Sequence, residues 1–117
     1  MDLSKVFDAL TAPGSTPALF VGRITNHVFQ FIISNINTNV VLKLEGSNNA
    51  KDDPPDVASD WFNMDPNGTT VTKTANGSDA FKRTAAVNWI RLTFVSESGG
   101  TDAVILPQYV GTSQGGV

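Results

Sequence analysis

Between Asp60 and Gly77 the chain reads DWFNMDPNGTTVTKTANG, which sets two Asn-Gly pairs, Asn67-Gly68 and Asn76-Gly77, nine residues apart around a Thr-rich run. An Asn-Gly pair tolerates positive φ at both central positions of a type I′ turn, the turn whose twist suits two flanking antiparallel strands. Turns this close together leave no room for a helix of ordinary length. The spacing therefore predicts a meander of short strands rather than a phosphate-binding loop.

The rest of the chain after residue 18 carries the same signal. HVFQFIIS (27–34) is rich in aromatic and β-branched residues, with Phe29, Phe31 and Ile33 on one face and Val28, Gln30 and Ile32 on the other. In VVLKLEG (40–46), Val40, Leu42 and Leu44 alternate against Val41, Lys43 and Glu45, the pattern of a half-buried strand. AVNWIRLTFVSE (86–97) is the longest such run, and AVILPQYV (103–110) returns from it through SGGTD. Shorter strands are expected at 18–22, 61–65, 69–74 and 80–83. About eight short strands with turn residues between them favour an all-β sandwich or barrel, and the expected fold is a single antiparallel β-sandwich, jelly-roll-like. Small open sandwiches must shield their edges, and Lys73, Lys82, Arg83 and Pro107 are the expected guards.

The first residues read differently. DLSKVFDAL (2–10) suits either one or two helical turns or an extended arm, with Val6, Phe7 and Leu10 grouped on one side. TAPGSTPA (11–18) reads as a linker. The expected organisation is an N-terminal arm and linker over 1–17, a sandwich domain over 18–111, and a frayed tail over 112–117. In SNNAKDDPPDVASD (47–60), Pro54-Pro55 cannot donate ladder hydrogen bonds, so this stretch is a polar loop.

Composition narrows the function classes. A chain of 117 residues is one domain by length, able to bury about two-thirds of its unfolded surface. The net charge is −3 and the eight basic residues are scattered, which argues against a nucleic-acid partner. No apolar run approaches the roughly 20 residues of a membrane span, and the N-terminus opens on an acid without a long apolar stretch, so neither membrane insertion nor a secretory leader is expected. The protein is expected to be made in a host cytoplasm. With no cysteine and a single histidine, thiol chemistry and ordinary zinc sites have no donors.

The chemical candidates are few. His27 stands at the start of an apolar strand, where a backbone hydrogen bond is the expected use of its ring. Asp52, Asp53, Asp56 and Asp60 form the densest acidic stretch, but their spacing is not that of a calcium loop, so a solvated loop is expected. No nucleophile elbow, phosphate loop or metalloprotease motif occurs. No catalytic residue, metal or cofactor is assigned, and the chain is not expected to be an enzyme. Trp61, Trp89 and Tyr109 are candidate contact aromatics, because aromatics off the aliphatic stripe can bind partners or sugars as well as fill a core.

VVLKLEGSNN, then DWFNMDPNGTTVTKTANGSDAFKRTAAVNWIRLTFVSESGGTDAVI, resembles a recurrent module of small tailed-phage virion proteins. In that module a strand ending in LEGS leads to a Trp-Phe pair, a Thr-rich hairpin and an aromatic-Ile-Arg strand closed by VSESGGTDA. The resemblance covers roughly residues 20–110. KDDPPD makes the intervening loop longer here than in that pattern. The resemblance implies a β-sandwich that decorates the outer surface of a phage head as a cement protein. Its partners would be the major capsid protein and neighbouring copies of itself, with a homotrimer at lattice threefold positions as one arrangement. The alternative is a tail- or fibre-associated module that binds host-surface glycans through Trp61, the 47–60 loop and Tyr109. The residues expected to make contacts are Val6, Phe7, Leu10, Trp61, Trp89 and Tyr109.

Overall fold

A computed structural model describes residues 2–65 and 67–113. The Gln114–Val117 part of the expected tail lies outside the described residues. Ten strands appear: β1 (Asp2–Val6), β2 (Gly14–Ser15), β3 (Leu19–Phe20), β4 (Asn26–Ser34), β5 (Asn39–Ser47), β6 (Phe62–Asn63), β7 (Val71–Lys73), β8 (Gly77–Thr84), β9 (Trp89–Ser98) and β10 (Val104–Thr112). Among the described residues the helical content is one 3₁₀ turn at Ala58–Asp60.

The strands form two antiparallel sheets. One has the order β1-β10-β4-β8; the other has the order β2-β9-β5-β6, with β3 also on β9 and β7 also on β5. Strands β2 and β3 pair with successive stretches of β9. Strands β6 and β7 do the same along β5, so each pair is one edge strand interrupted by a loop. Counted that way there are eight strands, ordered 1-8-3-6 in one sheet and 2-7-4-5 in the other. That is the strand order of a jelly roll, two Greek keys wound together. The expected fold class is the observed one.

Period-two alternation explains the packing. Phe29, Phe31 and Ile33 of β4, Leu42 and Leu44 of β5, Ile90, Leu92 and Phe94 of β9, and Ile105 and Tyr109 of β10 all lose contact with water between the sheets. Val41 pairs with Ser96 while Leu42 pairs with Phe94, which leaves Val95 as the extra residue of a bulge. The bulge keeps both Leu42 and Phe94 facing inward.

Three expectations are corrected. The first concerns the N-terminal segment, where Asp2–Val6 and Gly14–Ser15 are strands built into the two sheets. The segment is extended, as one of the two readings had it, but it is neither a free arm nor only a linker. Strand β1 lies along β10 from Asp2↔Thr112 to Val6↔Gln108. Leu10 then exchanges two backbone hydrogen bonds with Ile105, 2.8 and 2.9 Å. Phe7 is 8% exposed and stacks on Phe29 with ring centroids 5.5 Å apart. The local sequence is a weak helix former; the vacant edge of β10 offers backbone partners, and Phe7 finds a core to enter. Likewise Gly111 and Thr112 belong to β10 rather than to a tail boundary.

The second concerns the Asn-Gly pairs, neither of which makes a type I′ hairpin. Strands β6 and β7 lie along the same edge of β5, and β7 and β8 lie in different sheets, so neither pair joins hairpin neighbours. Gly68 donates to the Asp65 carbonyl at 2.9 Å, closing a turn inside the excursion between β6 and β7 on one edge of β5. Gly77, with φ +144°, opens β8 as the chain crosses from one sheet to the other. Gly68, with φ +67°, and Gly77 supply positive φ at the two sites.

The third concerns Pro107, which guards no outer edge, because β10 is an interior strand. Its carbonyl accepts from Phe7 N–H at 3.1 Å, but proline has no N–H to return. The β1 ladder therefore stops there and resumes only at Leu10.

Removing residues 1–12 is expected to strip the edge from β10 and to abolish a single cooperative unfolding transition in urea. Phe7→Ala should cost about 3 kcal/mol, whereas Val6→Ser, at an outward position, should change stability by less than about 0.5 kcal/mol.

Candidate contact surface

The outward face of the β1-β10-β4-β8 sheet is built from the residues that alternate with the core. Its cross-strand rows follow from the register. One row runs Val6, Gln108, Gln30, Ala80; a second runs Ser4, Val110, Val28, Lys82; a third carries Leu106, Ile32, Ser78; a fourth runs Asp2, Thr112, Asn26, Thr84. Val6 is 69% exposed, Leu106 48%, Ile32 46% and Val110 43%. Among the outward positions of these four strands, Asp2 and Lys82 are the charged ones and both lie near the margins. A contiguous sheet face so poor in charge and so rich in exposed aliphatics is a recognition surface or an aggregation hazard.

The outer face of the other sheet is chemically different. Glu45 is 6% exposed and sits opposite Arg91. Its carboxylate accepts from Arg91 Nε at 2.8 Å and from the Thr93 hydroxyl at 2.6 Å, with Lys43 Nζ at 3.3 Å. The Arg91 guanidinium lies over the Trp61 ring at 4.1 Å. Burial alone would raise the Glu45 pKa, but the Thr93 and Arg91 hydrogen bonds and the two nearby cations hold it below the usual carboxylate range. This network is internally satisfied and closed over by its own side chains.

The expected contact residues divide sharply. Val6 is the one the structure leaves open. Phe7 is in the core, and Leu10, half-buried, packs against it. Trp61 does lie off the aliphatic stripe, yet it is 9% exposed with Arg91 across its face. Trp89 is also on that outer face, but Phe20 packs edge-on against it and its indole N–H donates to the Asn49 carbonyl at 3.0 Å. Tyr109 is wholly buried. Phe7, Trp89 and Tyr109 are therefore corrected from contact residues to packing residues. Ile32, Leu106, Val110, Gln30 and Gln108 were not singled out from the sequence. Their signal was the presence of apolar residues on both faces of two strands, β4 and β10, that turn out to be neighbours.

Tyr109 and His27 form a buried polar pair. His27 Nε2 lies 3.0 Å from the Ala85 carbonyl, which can only accept, so Nε2 carries the proton. Nδ1 then accepts from the Tyr109 hydroxyl at 2.6 Å. The backbone bond matches the use expected of this histidine. A Cβ on Gly111 would collide with the Tyr109 hydroxyl and with Ile24, so only glycine there lets the phenol reach the ring. Desolvation lowers the His27 pKa from 6.5 and outweighs the Ala85 bond, while burial pushes the Tyr109 phenol above its ordinary range.

In the 47–60 loop, Asp60 accepts from the backbone N–H groups of Asp56 and Val57 at 3.1 and 3.4 Å. Among the described residues no three His, Asp or Glu side chains converge as a metal site, and no helix is long and apolar enough to cross a membrane.

Neither a protein-family model nor a curated protein sequence matches this chain. Solved structures do. The SPBc2 prophage-derived protein YomS superposes with a TM-score of 0.56 at 16% identity, over 96% of this chain and 94% of that one. A family two carbohydrate esterase from Cellvibrio japonicus gives 0.45 at 12% identity, with 97% of this chain covering 35% of the esterase. The Mud Crab Dicistrovirus structure gives 0.42 at 8% identity, over 96% and 68% of the two chains. At these identities the likeness to YomS is one of fold.

The histidine pair carries a pH dependence with a definite sign. The folded His27 pKa lies below the unfolded value, so the unfolded chain binds the proton more readily and stability rises with pH. Its contribution is complete above about pH 6.5 and is lost progressively as the pH falls below that value. Denaturant midpoints should drop between about pH 7 and about pH 5 in the native chain, and that drop should be absent in His27→Gln. Tyr109→Phe should cost about 1–3 kcal/mol by leaving Nδ1 without its donor, and Gly111→Ala should weaken the same bond by displacing the phenol.

Proposed function

We propose that this protein is a structural component of a tailed-bacteriophage virion, a decoration protein that binds the outer head surface and stabilises it by protein–protein contacts without catalysis. The observation that carries the proposal is the outward face of the β1-β10-β4-β8 sheet, where Val6, Ile32, Leu106 and Val110 stand exposed. A domain that works alone in water gains nothing from such a face, whereas a domain that spends its life against neighbours buries it. The fold shared with a prophage-derived protein, over nearly the whole of both chains, supports the same assignment. Many copies on a lattice would reinforce individually weak contacts.

The glycan-binding alternative loses the aromatics it was built on. Tyr109 is inaccessible, and Trp61 is covered by Arg91. No remaining observation favours it over assembly.

Mass spectrometry of purified particles carrying this gene should find the chain in proportion to the major capsid protein. A copy number of only a handful per particle would move it to the tail, and its absence from particles would refute the proposal. Leu106→Lys should leave thermal stability near that of the native chain while reducing incorporation.

A further inference from the structure

We propose that the outward face of the β1-β10-β4-β8 sheet pairs with the same face of a second copy of this chain, forming a two-fold dimer in which β10 lies over the second copy's β4. The inference deepens the assembly proposal and rests on it for the premise that this face is a contact surface, and it names a second copy, not the capsid, as what covers the face.

The face is self-complementary about one axis. Place a two-fold axis in the plane between two stacked faces, parallel to the strands and midway between β10 and β4. Each cross-strand row then meets itself in reverse order. Leu106 lies opposite the second copy's Ile32, Val110 opposite its Val28, and Val6 opposite its Ala80. Gln108 meets the second copy's Gln30. An amide offers both donors and an acceptor, so the two glutamines can hydrogen-bond each other across the interface. The twist of each sheet rotates stacked strands by about 30°, and residues near the axis stay aligned through that rotation.

Charge complements the same arrangement. Ser4 lies opposite the second copy's Lys82, and Asp2 is two residues further along β1, about 7 Å away. A lysine side chain spans that distance, so the two charged residues of the face meet across the interface as opposite signs, twice by symmetry. Neither charge has a salt-bridge partner among the described residues of its own chain. Stacking in the perpendicular sense, with the axis across the strands, would set β10 over β10 and β8 over β8, which keeps glutamine against glutamine but separates Asp2 from Lys82 and loses the ion pairs.

Four strands at about 4.8 Å spacing and some eight residues long present roughly 500 Å² in projection. That lies toward the small end for specific interfaces, so the dimer is a weak one that high local concentration on a lattice would fill.

Analytical ultracentrifugation of the full chain, from micromolar to millimolar concentration, tests the pairing. The native chain should move from monomer to dimer over that range. Leu106→Lys and Ile32→Lys should each weaken dimerisation by at least about tenfold, with unchanged far-ultraviolet circular dichroism, while Thr93→Lys on the opposite sheet should not. Asp2→Lys and Lys82→Asp should each weaken it a few-fold, and the double variant D2K/K82D should restore it. A native chain that stays monomeric at millimolar concentration, a dimer indifferent to Leu106→Lys, or a double variant weaker than either single one would each overturn the pairing. If the chain is monomeric yet Leu106→Lys still blocks incorporation into particles, the self-pairing falls and the contact-surface reading stands. If Leu106→Lys dimerises poorly but enters particles in full number, the face joins copies and is not what holds them to the head.

Discussion

The antiparallel pairing of β4 with β10 is the constraint on which the rest of the molecule hangs. It runs without interruption from Asn26↔Thr112 to Ser34↔Val104 and sets nine consecutive residues of each strand in one register. A slip of one residue would turn Phe29, Phe31, Ile33, Ile105 and Tyr109 out to water and bring Gln30 and Gln108 in. Inside the sandwich the register is enforced by that penalty. Outside, it has the further consequence of bringing Ile32 beside Leu106 and Val28 beside Val110, so the face opposite the core acquires its aliphatic character from the same pairing. The contact surface is in this sense a by-product of a strand pair with hydrophobic residues on both sides.

Two buried polar clusters, one around His27 and one around Glu45, are tied to this frame. His27 and Tyr109 face inward from β4 and β10, and their mutual hydrogen bond spans the same strand pair near its open end. Burying an imidazole and a phenol is tolerable only because each ring atom that needs a partner has one. Glu45 is the counterpart on the outer face of the other sheet, where Arg91, Thr93 and Lys43 supply its partners and Trp61 roofs the guanidinium. Neither set leaves a reactive group open to a substrate. The Glu45 network instead ties β5 to β9, the strand pair that does for the second sheet what β4 and β10 do for the first.

Much of this was legible in the residues. The alternation in 27–34 and 40–46 marked both strands and separated their two faces, and the short strands with turn residues between them favoured a sandwich or barrel. What escaped was decided by tertiary partners. DLSKVFDAL contains nothing that announces a strand; it becomes one because β10 would otherwise be an edge, and because Phe29 offers Phe7 a surface. The Asn-Gly pairs were read through their commonest turn, yet both loops join segments that are not hairpin neighbours. Tyr109 looked like a candidate contact residue because a phenol suits an interface as well as a core. Its fate turned on Gly111, two residues along the same strand, whose missing side chain opens the path to His27. The contact face itself requires knowing that β4 and β10 are adjacent, although they are far apart in the chain.

The two sheets solve the solvent problem in opposite ways, and the contrast bears on function. The outer face of the β5–β9 pair is covered by ion pairs and a stacked tryptophan, a surface already satisfied within one chain. The outer face of the β4–β10 pair has amides at its centre, aliphatics around them and single charges near its margins. Amides in that position are costly if buried against an apolar partner, because their donors and acceptors would go unmet. They are harmless against a partner that presents amides in return. Since Gln30 and Gln108 are cross-strand neighbours, a second copy turned about the strand direction supplies that match without any further element. A foreign partner would need a compatible polar pair at the same spacing. The polar residues of the face therefore restrict its partners more tightly than the aliphatic ones, which only favour being covered.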